Sequence, residues 1–184
     1  MKSIFLKNSK KLLLTLALLL LSTPFFAQSA FDKFEGQDDI TALIVNRKMF
    51  ELMSKVKVDA TDKEAQRYMN LIKKLDNLRV FSTASSKATT DLKLTADKYV
   101  KSVGLEELMR VNDSGKNIKI LVKSGSSDSQ IKELLMFIEG SGKTNQTVLM
   151  SLTGDFDLNE ISILTDKMKI PGGEELKKAS KNNR

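Results

Sequence analysis

The sequence predicts an α+β fold: a single-domain two-layer sandwich, with a mostly antiparallel sheet, a meander in its second half, and helices packed on one face. Three observations carry that expectation. Apolar residues at helical spacing dominate the first half, up to Gly104. Alternating or continuous apolar runs of strand length crowd the second half, between Leu108 and Leu152. No linker and no fixed-period repeat divides the chain. Strands gathered in a run, with helices elsewhere, define α+β architecture rather than alternating βα units.

Taken in order, Phe31–Asp39 (FDKFEGQDD) is a polar lead-in with two aromatics and room for a short helical turn. Ile40–Asn46 (ITALIVN) is a continuous β-branched run, which predicts a strand covered on both faces. Met49, Phe50, Met53 and Val56 then recur at helical spacing over Arg47–Val56. Thr61-Asp62-Lys63-Glu64 has the spacing of a capping box. The helix it opens carries Tyr68, Leu71, Ile72 and Leu75 on one face and stops at Asp76-Asn77.

Leu78–Thr83 (LRVFST) reads as the second strand, and the hydroxyl-rich Ser82–Thr90 as a loop or a frayed helix start. Leu92, Ala96, Tyr99, Val100 and Val103 mark a helix that ends at Gly104, a residue suited to the left-handed C-cap. Leu108–Val111, the turn cluster Asn112–Gly115 and Ile118, Ile120 and Val122 make a hairpin with one buried face. Ile131–Glu139 (IKELLMFIE) does not alternate cleanly, and its period fits a helix as well as a strand. Its place between turn signals favours the strand.

The clearest local pattern is Gln146–Met168. Val148, Met150 and Leu152 sit at period two, and Thr153-Gly154-Asp155 supplies turn residues. Asp157 and Glu160 are spaced as a helix cap ahead of Leu158, Ile161, Leu164 and Met168. A strand, a turn and a helix are expected here. The whole is one domain over residues 28–168, followed by a basic tail over 169–184.

The N-terminus predicts export. Lys2, Lys7, Lys10 and Lys11 precede the apolar Leu12–Leu21, which Ser22-Thr23-Pro24 breaks. That is the layout of a secretory signal peptide, and the run is shorter than the roughly 20 residues of a spanning helix. Cleavage is expected after Ala27, giving a 1–27 signal. A cut after Ser29 is the alternative, since Phe25 is bulky for its place. With no cysteine in the chain, neither a lipid-modified terminus nor a disulfide exists. The destination is periplasmic or secreted, with membrane contact only through an uncleaved signal.

Charge excludes one class of partner. The formal +7 comes from 30 basic and 23 acidic residues. Four of the basic residues lie in the signal, and Lys167–Arg184 holds six more against two acids. The stretch between is one charge negative, without the basic footprint of a nucleic-acid-binding domain.

The absence of histidine and cysteine removes the common nucleophile–base systems and the nitrogen–sulfur metal sites. Gly140-Ser141-Gly142-Lys143-Thr144 ends like a phosphate-binding loop. Yet Phe137 stands where the first glycine belongs, and a strand rather than a helix is expected after it, so a hairpin turn is the better reading. Asp155, Asp157 and Glu160, with Asp38 and Asp39, lack calcium-loop order, and a helix cap accounts for Asp157 and Glu160. Asn145-Gln146-Thr147 fits the N-glycosylation triplet but reads as a strand start. Met49, Met53, Met69, Met109, Met136, Met150 and Met168 read as core filling. No catalytic, cofactor-binding or metal-ligating residue is assigned, and no enzyme or cofactor is expected.

The signal ending Phe-Ala-Gln, the stretch VNRKMFELM at Val45–Met53, LEELMRV at Leu105–Val111 and LTGDFDLNEI at Leu152–Ile161 go together. In that order they resemble an uncharacterised family of small exported Bacteroidetes proteins, classed as a domain of unknown function. The resemblance spans about Phe31–Met168. It implies an envelope-located single domain, with family genes often near sigma-factor genes and no assigned catalytic residues. The function expected is therefore a non-enzymatic protein-interaction domain in envelope signalling or stress. The alternative is a small-ligand or lipid-binding module with an apolar pocket between sheet and helices.

Overall fold

The computed structural model describes residues 30–113, 115–127, 129–140, 146–161, 163 and 164. The expected signal peptide, the phosphate-loop-like turn after Gly140, Asn145, the helix end at Met168 and the basic tail lie outside the described residues. The chain divides into two units between Lys33 and Phe34. In the first unit, only residues 30–33 are described, and they run into a short 3-10 turn, Asp32–Phe34. The remainder of the description concerns the second unit.

The fold is α+β. Its strands are β1 (Thr41–Asn46), β2 (Leu75–Thr83), β3 (Glu106–Asp113), β4 (Lys116–Ser124), β5 (Gln130–Gly140) and β6 (Thr147–Asp157). They form one sheet in the order β1-β2-β6-β5-β4-β3, and every neighbouring pair is antiparallel. The helices are α1 (Arg47–Met53), α2 (Lys63–Ile72) and α3 (Ser86–Val103). The meander expected in the second half is β3-β4-β5-β6. The final strand lies in the middle of the sheet, between β2 and β5.

One face of the sheet carries the main core. Leu78, Val80, Met150, Leu152, Leu134, Met136, Ile118 and Ile120 meet there with Phe50 of α1 and Leu71 and Ile72 of α2. Leu158, Ile161 and Leu164, after β6, join the same cluster. The other face bears Phe81, Leu149, Leu135 and Phe137, which are register partners of residues one position out of phase with the first set. Helix α3 covers this second face. Its Thr89 and Lys93 side chains bond Thr147 and Glu139, and Tyr99 bonds Glu133. Phe34 reaches the same face, edge-on to Phe81 with ring centroids 5.9 Å apart. Helices therefore lie on both faces of the sheet and not on one, as the sequence pattern had implied. The reason is that β5 and β6 are buried on both sides, so each needs two covers.

Several local expectations change with equally simple causes. Strand β1 is an edge strand, and its pattern is exposed except at Val45, so it is not covered on both faces. Helix α2 is capped by Asp62, whose carboxylate accepts from the Ala65 N–H at 2.9 Å, and not by Thr61. Thr61 instead donates to Asp59 through both its amide and its hydroxyl. Leu75 belongs to β2 rather than to the preceding helix. An irregularity between Leu75 and Asn77 puts Asp76 out of the ladder, so Leu75 and Leu78 share a core at a helix-like spacing of three.

Helix α3 starts four residues before the end of the hydroxyl-rich stretch. Ser85 caps it through the Ala88 N–H, and Thr90 and Thr95 donate their hydroxyls to carbonyls four residues back. Gly104 is its left-handed C-cap, with φ of 71°. The expected turn at Thr153-Gly154-Asp155 is absent. Strand β6 runs through it to Asp157, and the capping box of Asp157 and Glu160 opens a 3-10 turn at Leu158–Glu160.

Candidate functional site

Among the described residues, two regions outside the core offer candidate binding surfaces. The first is the sheet edge at β1. The segment TALIVN has no charge, no proline and no glycine, and its outer side has no strand partner among the described residues. Leu43 is 42% exposed and Ile44 38%, one on each side of the strand. Helix α1 follows directly, because the Asn46 side chain accepts from the Met49 N–H and turns the chain at the strand end. It buries Phe50 and leaves Met49 and Leu52 exposed, with Val56 just beyond. Met49 and Val56 had been expected to face the core with Phe50. A helix of only two turns on an edge strand has too little sheet beneath it to cover them. Ion pairs rim the patch: Arg47 with Asp76 and Glu51, and Lys48 with Glu51. Natural sheets blunt free edges with charge, proline or a covering segment, and β1 carries none of the first two.

The second region is a cleft of about 430 Å³ between α3 and the outer part of β3, β4 and β5. Its floor is Leu121, Leu135 and Phe137, and Ala96 and Val100 of α3 form one wall. Charged groups ring it. Lys93 of α3 reaches Glu139 at 2.6 Å. Arg110 forks onto Glu107, with Nε at 3.0 Å and Nη2 at 2.5 Å from the two carboxylate oxygens. That hydrogen bonding holds the Glu107 carboxyl below its ordinary value and raises Arg110. The cleft residues come from elements up to 46 positions apart in sequence, and no linear motif announces them.

On β5, facing Tyr99 of α3, Glu133 is the one buried carboxylate among the described residues. Tyr99 Oη donates to its Oε1 at 2.7 Å. Burial pushes the Glu133 carboxyl up, against the opposing effects of the Tyr99 hydrogen bond and the Lys123 charge. The Tyr99 hydroxyl is pushed up too, by burial first and then by the Glu133 charge, so it stays protonated and donates. The Tyr99–Glu133 hydrogen bond ties α3 to β5.

The acidic residues raised by the sequence are spoken for individually. Asp155 takes Lys132 at 2.9 Å and the Gln130 amide. Glu160 takes Lys74 at 2.9 Å, and Asp157 accepts from the Asn159 N–H at 2.8 Å. Among the described residues no three acidic side chains gather as a metal site would require. Of the methionines, Met136 and Met150 are fully buried, and Met53, Met69 and Met109 pack partly against the core. Among the described residues no helix is long and apolar enough to cross a membrane.

Residues 34–164 match the family described as Domain of unknown function (DUF4252). Among curated proteins and among solved structures, none matches the chain.

Proposed function

The chain belongs to the DUF4252 family of domains of unknown function, and from that premise we propose that it is an exported, non-enzymatic protein-interaction domain of the periplasm or cell envelope. It takes an extended segment of a partner protein as a seventh strand against β1. The observation that carries this reading is the uncharged edge strand with Leu43 and Ile44 exposed on its two sides, continuous with Met49 and Leu52. Strand addition supplies main-chain hydrogen bonds along such an edge, and alternate side chains supply specificity. A signal-like N-terminus supports the envelope setting. The Bacteroidetes-like signal ending supports the same origin, and the sigma-factor neighbourhood of the family it resembles points to signalling or stress. The lack of histidine and cysteine supports a binding role over catalysis.

The test pairs capture with a blocked edge. The full chain and a Leu43→Lys/Ile44→Lys variant are expressed in the native envelope, crosslinked and recovered. The expected result is a partner whose crosslinks map to Thr41–Asn46 in the wild type and disappear in the variant. Equal recovery by both proteins overturns the reading. A dimer seen by light scattering, and lost in the variant, would make a second copy of the chain the occupant instead. N-terminal sequencing of the exported form checks export, with Gln28 or Ala30 expected as the first residue and Met1 refuting it.

A further inference from the structure

The cleft beneath α3 carries a chemistry separate from the edge. Lys119 and Arg110 are direct register partners on β4 and β3, and both line the cleft. Like charges placed opposite one another in a sheet destabilise the pair unless something neutralises them. Arg110 spends Nε and Nη2 on Glu107, and Nη1 lies outside that fork. Lys119 is half-buried, and among the described residues it makes no direct ion pair. Its other register neighbour is Phe137, on β5, and Leu121 lies two residues along the same face. An ammonium therefore stands over an apolar floor with Arg110 beside it, and the carboxylate whose field it shares, Glu107, is already held by the Arg110 fork.

The rest of the ring limits what can enter. Glu139 is held by Lys93 and Glu107 by Arg110. Asp97 is exposed on the helix side of the opening. A doubly charged phosphate would meet three carboxylates with little unneutralised positive charge to offset them. A single negative charge is matched by the Lys119 ammonium and the remaining Arg110 N–H groups. The apolar surface of Ala96, Val100, Leu121, Leu135 and Phe137 asks for a hydrocarbon body attached to that charge. The volume of about 430 Å³ lies in the range of small-ligand sites, roughly 300–1,000 Å³.

We infer that this cleft binds a small monocarboxylate with a short apolar tail, its carboxylate on Lys119 and Arg110 and its tail along Leu121, Leu135 and Phe137. The site is formed by residues remote from β1, so its occupancy and the edge interaction are separable.

The probe is decanoate labelled with carbon-13 at the carboxyl, titrated into the full chain and followed by NMR, with decanol as the uncharged analogue. The expected result is saturable one-to-one binding that moves the labelled carboxyl resonance and the amides of Lys119, Leu121 and Phe137. Lys119→Gln should weaken decanoate at least tenfold, and decanol should bind the wild type at least tenfold more weakly than decanoate does. Val100→Phe, which narrows the cleft from the helix, should weaken both. The Leu43→Lys/Ile44→Lys variant should bind decanoate as the wild type does. The proposal is overturned if binding does not saturate, if Lys119→Gln binds decanoate as tightly as the wild type, or if decanol matches decanoate. Unchanged amide spectra of the unliganded variants establish that each is folded. Loss of partner capture with decanoate binding intact would count against the edge reading alone.

Discussion

Tyr99 Oη lies 2.7 Å from Glu133 Oε1, and this hydrogen bond joins α3 to β5 through the sheet's second face. The carboxyl is buried and held above its ordinary value, so the Tyr99 hydroxyl matters more as its donor than it would at the surface. Tyr99→Phe keeps the ring and removes that donor. A buried acceptor left without its partner costs about 1–3 kcal/mol. Urea unfolding should show a lower midpoint with an unchanged slope, and an unchanged midpoint would mean that water replaces the hydroxyl.

The same carboxyl makes stability depend on pH. A carboxyl whose folded-state pKa is raised binds its proton more tightly in the folded state than in the unfolded one. Its favourable contribution is therefore complete below the unfolded value, near 4.5, and declines as pH rises through the raised folded value. Glu133→Gln still offers Tyr99 an acceptor but does not titrate. The stability of the wild type relative to Glu133→Gln should fall as pH increases from about 4.5 and level off above the folded pKa. Parallel pH profiles for the two proteins would refute it.

Gly154 is fixed by proximity rather than by a turn. Its position in β6 pairs with Leu75, and a Cβ there would press into the Lys74 carbonyl oxygen and lie 3.0 Å from the Leu75 Cα. The next residue, Asp155, donates its N–H to that same carbonyl at 2.9 Å, so the backbones cannot separate without losing a bond. Gly154→Ala should destabilise the protein by about 1–3 kcal/mol, the cost of overpacking. Thermal unfolding measures it.

Asp157 closes the last strand and starts the turn after it. Its carboxylate accepts from the Asn159 N–H, and the Glu160 side chain accepts from the Asp157 N–H. Asp157→Ala should cost about 0.5–2 kcal/mol, as removal of an N-cap does. Hydrogen exchange should accelerate at Asn159–Ile161 while the amides of β2 and β5 hold their protection. Uniform acceleration across the sheet would mean that the cap stabilises the whole fold equally.

The fold class and the meander were legible because Ile118, Ile120 and Val122 alternate cleanly and because Ile131–Glu139 is apolar for the length of a strand. The layering was harder. Residues of β5 buried on both faces carry no phase, and the irregularity near Lys132 places Ile131 and Leu134 in one core at a spacing of three. Helix α3 was understated because its opening hydroxyls look like loop chemistry, although Thr90 and Thr95 satisfy theirs inside the helix. Neither candidate region was readable. Ile40–Asn46 has the composition of a central strand, and only the sheet order reveals an edge. Lys119 alternates with apolar neighbours as any solvent-facing lysine would, and its pairing with Arg110 exists only once β3 and β4 are in register.

The central position of β6 has a consequence for how the molecule is made. Strand β2 finds its inner neighbour some seventy residues later in the chain, and the block β3-β4-β5 meets β1-β2 only through that late strand. A growing chain that stops short of Thr147 holds two partial sheets with a missing seam. Pairing across such separations is slow, since the loop must close before the contacts repay it. The two parts of the sheet thus stay unjoined until the last strand emerges, whatever each has formed before then.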